Sequence, residues 1–139
     1  MNFFHGFWDD KDDEFDDLEI DELDELEETS DMNDALLRIF QKYLIKNGFS
    51  SRDALKHSKN VYEFIEVFLN LDKGQEYFDG PDYLREYFGD YFSKMISSKS
   101  KIFKMHLESI GLFYDFLYSK NKLGKVKYEK ALGILKSLE

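Results

Sequence analysis

The chain has 139 residues, of which 42% are apolar and 17% aromatic, and its 29 acidic and 19 basic residues give a net charge of −10 at neutral pH. This length accommodates one domain with at most an appendage, and the absence of cysteine excludes disulfides, cysteine-bound zinc and thiol nucleophiles. The N-terminus lacks a basic stretch followed by an apolar run, and no segment reaches the ~18–20 apolar residues that span a bilayer, so we expect a cytoplasmic protein without membrane contact.

The charge is distributed unevenly along the chain. Sixteen of the 29 acidic residues lie in the first 36 positions, where Lys11 is the only base, so residues 37–139 carry a net charge of +5. We therefore predict two parts, an acidic N-terminal arm over residues 1–30 and a helical domain over residues 31–139. An acidic segment that also carries large apolar residues orders against a partner, so the arm is either a mobile tail or a docked helix.

The first helix is predicted from an apolar stripe near residue 40. Asp31 or Asn33 is expected to cap its N-terminus, and Gly48 is expected to end it in the left-handed conformation. The stripe recurs at steps of three and four, the spacing of one buried helix face, and comprises Leu36, Leu37, Phe40, Tyr43, Leu44 and Phe49.

Two further helices are predicted around a loop that contains Gly74 and Gly80. Ser50 or Ser51 caps the second helix, and Pro81 occupies the first turn of the third. The stripe of the second helix comprises Ala54, His57, Val61, Phe64, Ile65, Phe68 and Leu71. The stripe of the third comprises Tyr83 or Leu84, then Tyr87, Phe88, Tyr91, Phe92 and Met95, with a bend expected at Gly89.

The remainder of the chain predicts two more helices and no strand. The fourth and longest helix buries Ile102, Phe103, Leu107, Ile110, Phe113, Tyr114 and Leu117. The last helix buries Val126, Tyr128, Leu132, Ile134 or Leu135, and Leu138. No segment shows the alternation of apolar and polar residues that is typical of a strand. The sequence therefore predicts an all-α fold of four to five packed helices.

Two segments resemble the N-terminal core-binding domain of tyrosine recombinases, the phage integrases. In residues 40–69 the matching positions are Phe40, Leu44, Gly48, Phe49, Ser50, Val61 and Phe64. In residues 106–124 they are Leu107, Ile110, Phe113, Tyr114, Phe116 and Leu117. The resemblance covers about residues 35–125. It implies an orthogonal, SAM-like helical bundle that clamps one face of double-stranded DNA, mainly through phosphates.

The chain also departs from that family. The family's catalytic half, with its arginine, histidine and tyrosine nucleophile, has no counterpart in this sequence, so we expect a protein that is not an enzyme and holds no cofactor. Asp53 stands where the family commonly has a threonine. Where the family's fourth helix often carries several arginines, this chain has Lys104, Met105, His106 and Gly111.

Basic side chains are the candidate DNA-binding residues, because cations that neutralise phosphates account for most non-specific DNA affinity. They lie at the start of the second helix, around the junction of the third and fourth helices, and after the fourth: Arg52, Lys56, Lys94, Lys99, Lys101, Lys104, Lys120 and Lys122. The alternative interpretation is that these are solvated lysines at helix ends. In that case the chain is a protein-interaction or regulatory module that no longer binds DNA.

The acidic arm carries a second candidate site. Its first residues include four aromatic side chains, which are typical anchors of protein interfaces: Phe3, Phe4, Phe7 and Trp8. The arm is interpreted as a solubilising tail, as a mimic of nucleic acid that covers the basic surface, or as a recognition segment for a protein partner.

No metal site is expected. The three histidines, His5, His57 and His106, are far apart in the sequence, and His57 is interpreted as a core residue of its helix. The acidic run fails the calcium-loop pattern, because Phe15 occupies the position that requires glycine.

Overall fold

A computed structural model describes residues 19–139, and within that range the chain is helical with no strand. The prediction of an all-α fold is confirmed. The six α-helices of this range are α1 (Thr29–Lys46), α2 (Ser51–Tyr62), α3 (Leu84–Glu86), α4 (Phe92–Met95), α5 (Ser100–Ser119) and α6 (Lys125–Leu138). Two 3-10 turns, Ile20–Glu25 and Tyr77–Tyr83, and two π segments, Glu63–Asp72 and Tyr87–Tyr91, complete the structure.

One apolar core unites these elements, and aromatic rings fill its centre. Phe40 of α1 meets Phe113 of α5 edge-to-face, with ring centroids 5.4 Å apart. Phe64 of the first π segment meets Tyr87 of the second at 4.9 Å in the same geometry. Such pairs stabilise a core by about 0.5–1.5 kcal/mol beyond their burial.

The turn between α1 and α2 forms as the sequence predicts. Gly48 has φ +101° and closes a Schellman motif, in which the Phe49 amide donates to the Leu44 carbonyl at 3.0 Å. The Ser50 hydroxyl caps α2 by accepting from the Asp53 amide at 3.0 Å. Neither Asp31 nor Asn33 caps α1, because the helix begins two residues earlier than Asp31, after Glu28.

The second helix changes its hydrogen-bond pattern at Glu63. From there to Asp72 the segment is π-helical, so each hydrogen-bonded turn contains one residue more than an α-helical turn. The buried face rotates as a result. Leu69 is fully buried, whereas Leu71, which the stripe predicted to be buried, is 67% exposed.

The predicted third helix is broken into short pieces. Pro81 lies inside the second 3-10 turn, and Gly89 has non-helical torsions of φ −86° and ψ −132°, which kink the chain where the bend was expected. The kink turns Met95 outward, so this side chain is 67% exposed rather than buried. Val126 of α6 was also predicted to be buried and is exposed, because α6 presents Ala131 and Leu135 to the core instead.

The C-terminal part of the acidic arm packs on the domain. Residues 19–28, which we name the acidic segment, contain seven carboxylates and the first 3-10 turn. Leu23 at the centre of this turn is fully buried, and Ile20 and Leu26 pack against the core beside it. The aromatic residues Phe3, Phe4, Phe7 and Trp8 lie outside the described residues.

Candidate functional site

Four of the sequence-predicted lysines lie at the junction of α4 and α5. Lys94 is in α4, and Lys99 is the N-cap residue that precedes α5. Lys101 and Lys104 are in the first turns of α5. All four side chains are exposed, and residues 91–107 contain no Asp or Glu. We name these four residues the lysine cluster.

The lysine cluster lacks carboxylate partners within the part of the chain that the structure describes. Other lysines of the domain differ in this respect. Lys127 lies 3.8 Å from Asp79, and Lys130 lies 2.5 Å from Asp82. Among the described residues, no carboxylate therefore neutralises the positive charge of the cluster.

The N-terminus of α5 adds to this positive potential. Lys99 supplies no side-chain cap, and none of its neighbours is an acid, although carboxylates usually occupy the first turn of a helix. The first amides of a helix carry a partial positive charge because they have no acceptor within the helix. Lys99 and Lys101 add their positive charge to the same end of the helix, which suits phosphate groups.

The other predicted DNA-binding residues are elsewhere. Arg52 and Lys56 are exposed in the first turns of α2. Lys120 and Lys122 follow the C-terminal end of α5, about 30 Å along its axis from Lys99 at 1.5 Å per residue. Four of the eight residues thus lie at the junction of α4 and α5, and the other four lie at the start of α2 and after the end of α5.

Lys120 and Lys122 have partners of their own. The Lys120 ammonium lies 5.8 Å from the centroid of the Tyr43 ring, within cation–π range. Lys122 has a side chain only 17% exposed, and its ammonium lies 4.0 Å from the carboxylate of Asp24 in the acidic segment. One predicted DNA contact is therefore already next to an acid of the arm.

His57 joins α2 to α5 through a small polar network. Its Nδ1 lies 2.8 Å from the Ser109 hydroxyl, which also accepts from Asn60 at 3.0 Å and donates to the Met105 carbonyl at 2.9 Å. Because that hydroxyl gives its single proton to Met105, the hydrogen bonds assign a proton to His57 Nδ1. Ser109 is fully buried, so the arrangement holds two helices together and offers no nucleophile to a substrate.

Burial lowers the pKa of His57, and the nearby Glu108 and Asp53 oppose that effect. The second ring nitrogen, Nε2, lies 4.0 Å from the exposed Glu108 carboxylate. The sequence placed His57 on a buried stripe, and the structure half-buries it there.

Sequence reasoning missed a polar cluster between α1 and the first π segment. Glu66 is only 5% exposed, and its carboxylate accepts hydrogen bonds from Ser30 at 2.6 Å, Asn33 at 2.9 Å and Asn70 at 3.2 Å. The charge of Glu66 also acts on Asp34 of α1. The one available signal was a glutamate between Ile65 and Val67 in an otherwise apolar run.

A groove between α5 and α6 was also missed. It has a volume of about 760 Å³, and its lining includes Leu107, Gly111, Leu135 and Lys104 of the lysine cluster. Gly111 lies close to α6, since a Cβ there would be 3.9 Å from Leu135. Nothing in the sequence pattern indicates this open groove.

Comparisons with protein-family models, curated proteins and solved structures found no match to this chain. Within residues 19–139, no group of three or more His, Cys, Asp and Glu side chains is placed to hold a metal ion. No helix in that range combines the length and apolar character needed to cross a bilayer.

Proposed function

We propose that this chain is a non-enzymatic, DNA-associated module that contacts duplex phosphates through the lysine cluster. The observation that carries the proposal is the set of four exposed lysines without carboxylate partners in the described chain. Cations in this state can exchange bound counterions for phosphates without first breaking an internal ion pair.

The packing of the two recombinase-like segments supports a core-binding fold of the SAM-like type. Phe40 in the first segment contacts both Phe113 and Phe116 in the second, each with ring centroids 5.4 Å apart. The matched positions therefore form one core rather than two separate surfaces. Helix N-termini and basic side chains, both present at the start of α5, are among the groups that contact DNA phosphates.

The acidic segment is proposed to mask Lys122, a second basic contact for DNA at the opposite end of α5 from the lysine cluster. Asp24 lies 4.0 Å from Lys122, and the fully buried Leu23 holds the acidic segment against the domain. At physiological salt a charge acts over about 8 Å, so only carboxylates held close to the surface can compete with phosphates. The docked acidic segment meets that condition at Lys122.

Salt-dependent binding of a duplex of about 30 base pairs to the full chain, measured by fluorescence anisotropy, tests the proposal. Affinity should fall with a logarithmic slope of about −0.9 per phosphate neutralised, so four lysines predict a slope of about −3.6. Lys101→Ala removes one phosphate contact and should make that slope shallower by about 0.9. The matched control is Lys130→Ala, because Lys130 is paired with Asp82 and should leave the slope unchanged.

Two further variants test the direction of each effect. Charge reversal by Lys99→Glu together with Lys101→Glu should abolish binding through the lysine cluster. Asp24→Asn should tighten binding of a duplex long enough to reach Lys122 as well. Absence of binding by both the native chain and Asp24→Asn at about 20 mM salt would overturn the proposal, since phosphate contacts are strongest there.

The second candidate is a protein-interaction module. The groove between α5 and α6 favours it, because Leu107, Leu112 and Leu132 line it beside charged residues, a mixture that suits an amphipathic helix. Leu112→Lys would then abolish partner capture and leave DNA binding unchanged. If DNA binding is absent and a protein partner is found that the Leu112→Lys variant no longer binds, the second candidate replaces the first.

A further inference from the structure

The first turn of α1 fastens the acidic segment to the rest of the domain. The Thr29 hydroxyl donates to Glu76 Oε1 at 3.0 Å, and the Ser30 hydroxyl donates to Glu66 Oε2 at 2.6 Å. Both residues come directly after the acidic segment. The position of that segment therefore depends on whether this turn stays packed.

Glu66 is the centre of the fastening. Besides Ser30, it receives the side-chain amides of Asn33 and Asn70 on its other oxygen, Oε1. Asn33 is fully buried and also donates to the Ile65 carbonyl at 3.3 Å, so it ties α1 to the backbone of the π segment. A buried carboxylate that accepts three hydrogen bonds can remain charged. A second negative charge in the same buried site is then unfavourable.

Asp34 is the group that would bring this second charge. It lies four residues after Ser30, hence on the same face of α1. Its Oδ1 is buried without a hydrogen-bond partner among the described residues. Burial, followed by the charge of Glu66, raises the pKa of Asp34 to about 7.

The remaining charged and titratable neighbours act in both directions. On α1 itself, Asp31 raises the pKa of Asp34 and Arg38 lowers it. From α2, Tyr62 faces the same site, and burial followed by the charges of Glu66 and Asp34 raises the pKa of its hydroxyl well above its ordinary value, so Tyr62 stays neutral. Asp34 is thus the group in this cluster that changes charge near neutral pH.

We propose that the contact between α1 and the first π segment is a proton-dependent anchor, which holds the acidic segment on the domain while Asp34 is protonated and loosens when Asp34 ionises. While Asp34 is protonated, it and Glu66 together carry one negative charge, which the hydrogen bonds from Ser30, Asn33 and Asn70 stabilise. Ionised, they carry two charges in a largely buried site. For its effect on DNA the anchor rests on the proposed function, because loosening would release the acidic segment from Lys122.

Proton linkage gives the direction in which the stability of the folded chain changes with pH. The folded chain keeps the Asp34 proton up to about pH 7, whereas an unfolded aspartate loses it near pH 3.8. Between these values the folded state binds more protons, so its stability falls as pH rises. One proton changes the opening equilibrium by at most about tenfold per pH unit, and the change levels off above the folded pKa.

Hydrogen exchange of the full chain between pH 5 and 8, corrected for intrinsic exchange rates, measures this opening. Amides of residues 30–37 should lose protection by up to about tenfold per pH unit and then reach a plateau. Asp34→Asn keeps the shape of the protonated side chain and should remove the pH dependence. Protection that is flat with pH in the native chain, or a transition that persists in Asp34→Asn, would overturn the anchor.

Two further measurements keep the test decisive. Asp31→Asn, at an exposed carboxylate one turn away, should shift the midpoint slightly downward and preserve the transition. If Asp34→Asn does not fold, the carboxyl carbon of Asp34 can be titrated by NMR in the native chain. A midpoint below about pH 5 would contradict the proposal, since it would put Asp34 near its ordinary value.

Exchange and DNA binding separate this inference from the proposed function, because the exchange experiment contains no DNA. A transition near pH 7 without DNA binding supports the anchor and removes the proposed function. Salt-dependent DNA binding without the pH transition supports the proposed function and removes the anchor. If both hold, DNA affinity should rise with pH over the window in which the amides lose protection.

Discussion

The Tyr114 hydroxyl lies in the space that a Cβ on Gly80 would occupy. Tyr114 is fully buried, and its hydroxyl donates to the Tyr77 carbonyl at 3.2 Å, which places the second 3-10 turn against α5. The same Cβ would also lie 2.9 Å from the ring of Phe64. Glycine at position 80 is therefore a packing requirement rather than a turn preference.

Gly80→Ala is expected to destabilise the domain by about 1–3 kcal/mol, because the new methyl group forces apart two buried rings. The control is Gly133→Ala in α6, where nothing lies within 4 Å of the new Cβ. That change should stabilise the helix by up to about 1 kcal/mol. Urea unfolding measures both, and equal effects would contradict the close approach at Gly80.

Leu23→Ala tests how firmly the acidic segment is docked. Leu23 is fully buried, so its truncation should cost about 2–5 kcal/mol if the segment unfolds together with the core. Val126→Ala is the matched control, because Val126 is 82% exposed and should change stability by less than about 0.5 kcal/mol. A Leu23→Ala effect as small as the control would mean that the segment opens independently.

Ser109→Ala should weaken the contact between α2 and α5. The hydroxyl is shared by His57 and Asn60, and its loss leaves both side chains without that partner, at a cost of about 1–3 kcal/mol. The variant should also change the imidazole tautomer, which ¹⁵N chemical shifts of His57 report. An unchanged tautomer would show that Ser109 does not fix the Nδ1 proton.

His106 is expected to make the domain sensitive to acid. Burial lowers its pKa to about 4, and its ring packs edge-to-face on Phe92 at 4.9 Å. The unfolded chain binds this proton near pH 6.5, so stability is lost as pH falls from 6.5 towards 4, by up to about 3 kcal/mol.

His106→Leu should remove that loss, which appears as a difference between variant and native unfolding free energies across pH 4–7. Asp34 contributes with the opposite sign over this range in both proteins. The difference between them therefore isolates His106. A difference that does not change with pH would contradict the buried, neutral imidazole.

The sequence predicted those features that depend on neighbouring residues. The Gly48 turn, the Ser50 cap and the stripe from Leu107 to Leu117 all follow from local spacing, and the structure shows each of them. Two failures of the predicted stripes follow from a change in helix geometry: the π segment turned Leu71 outward, and the kink at Gly89 turned Met95 outward. A periodicity of 3.6 residues cannot anticipate either change.

The polar cluster could not be predicted, because its parts are distant in the sequence. Ser30 and Glu66 are separated by 36 residues, and their hydrogen bond requires the packing of α1 on the π segment. Asn33 was expected to cap a helix that in fact begins before it, and its amide instead reaches Glu66. The lysine cluster was predictable as a group, since its four members lie within eleven residues of one another.

The length of α5 sets a minimum size for any duplex that is to touch both of its ends. Lys99 and Lys120 stand about 30 Å apart along this rigid rod, which corresponds to about nine base-pair steps at 3.4 Å each. Oligonucleotides shorter than this could engage only one terminus at a time. Affinity measured against duplex length should therefore show a step near that size if both termini take part, and a smooth trend if only the lysine cluster does.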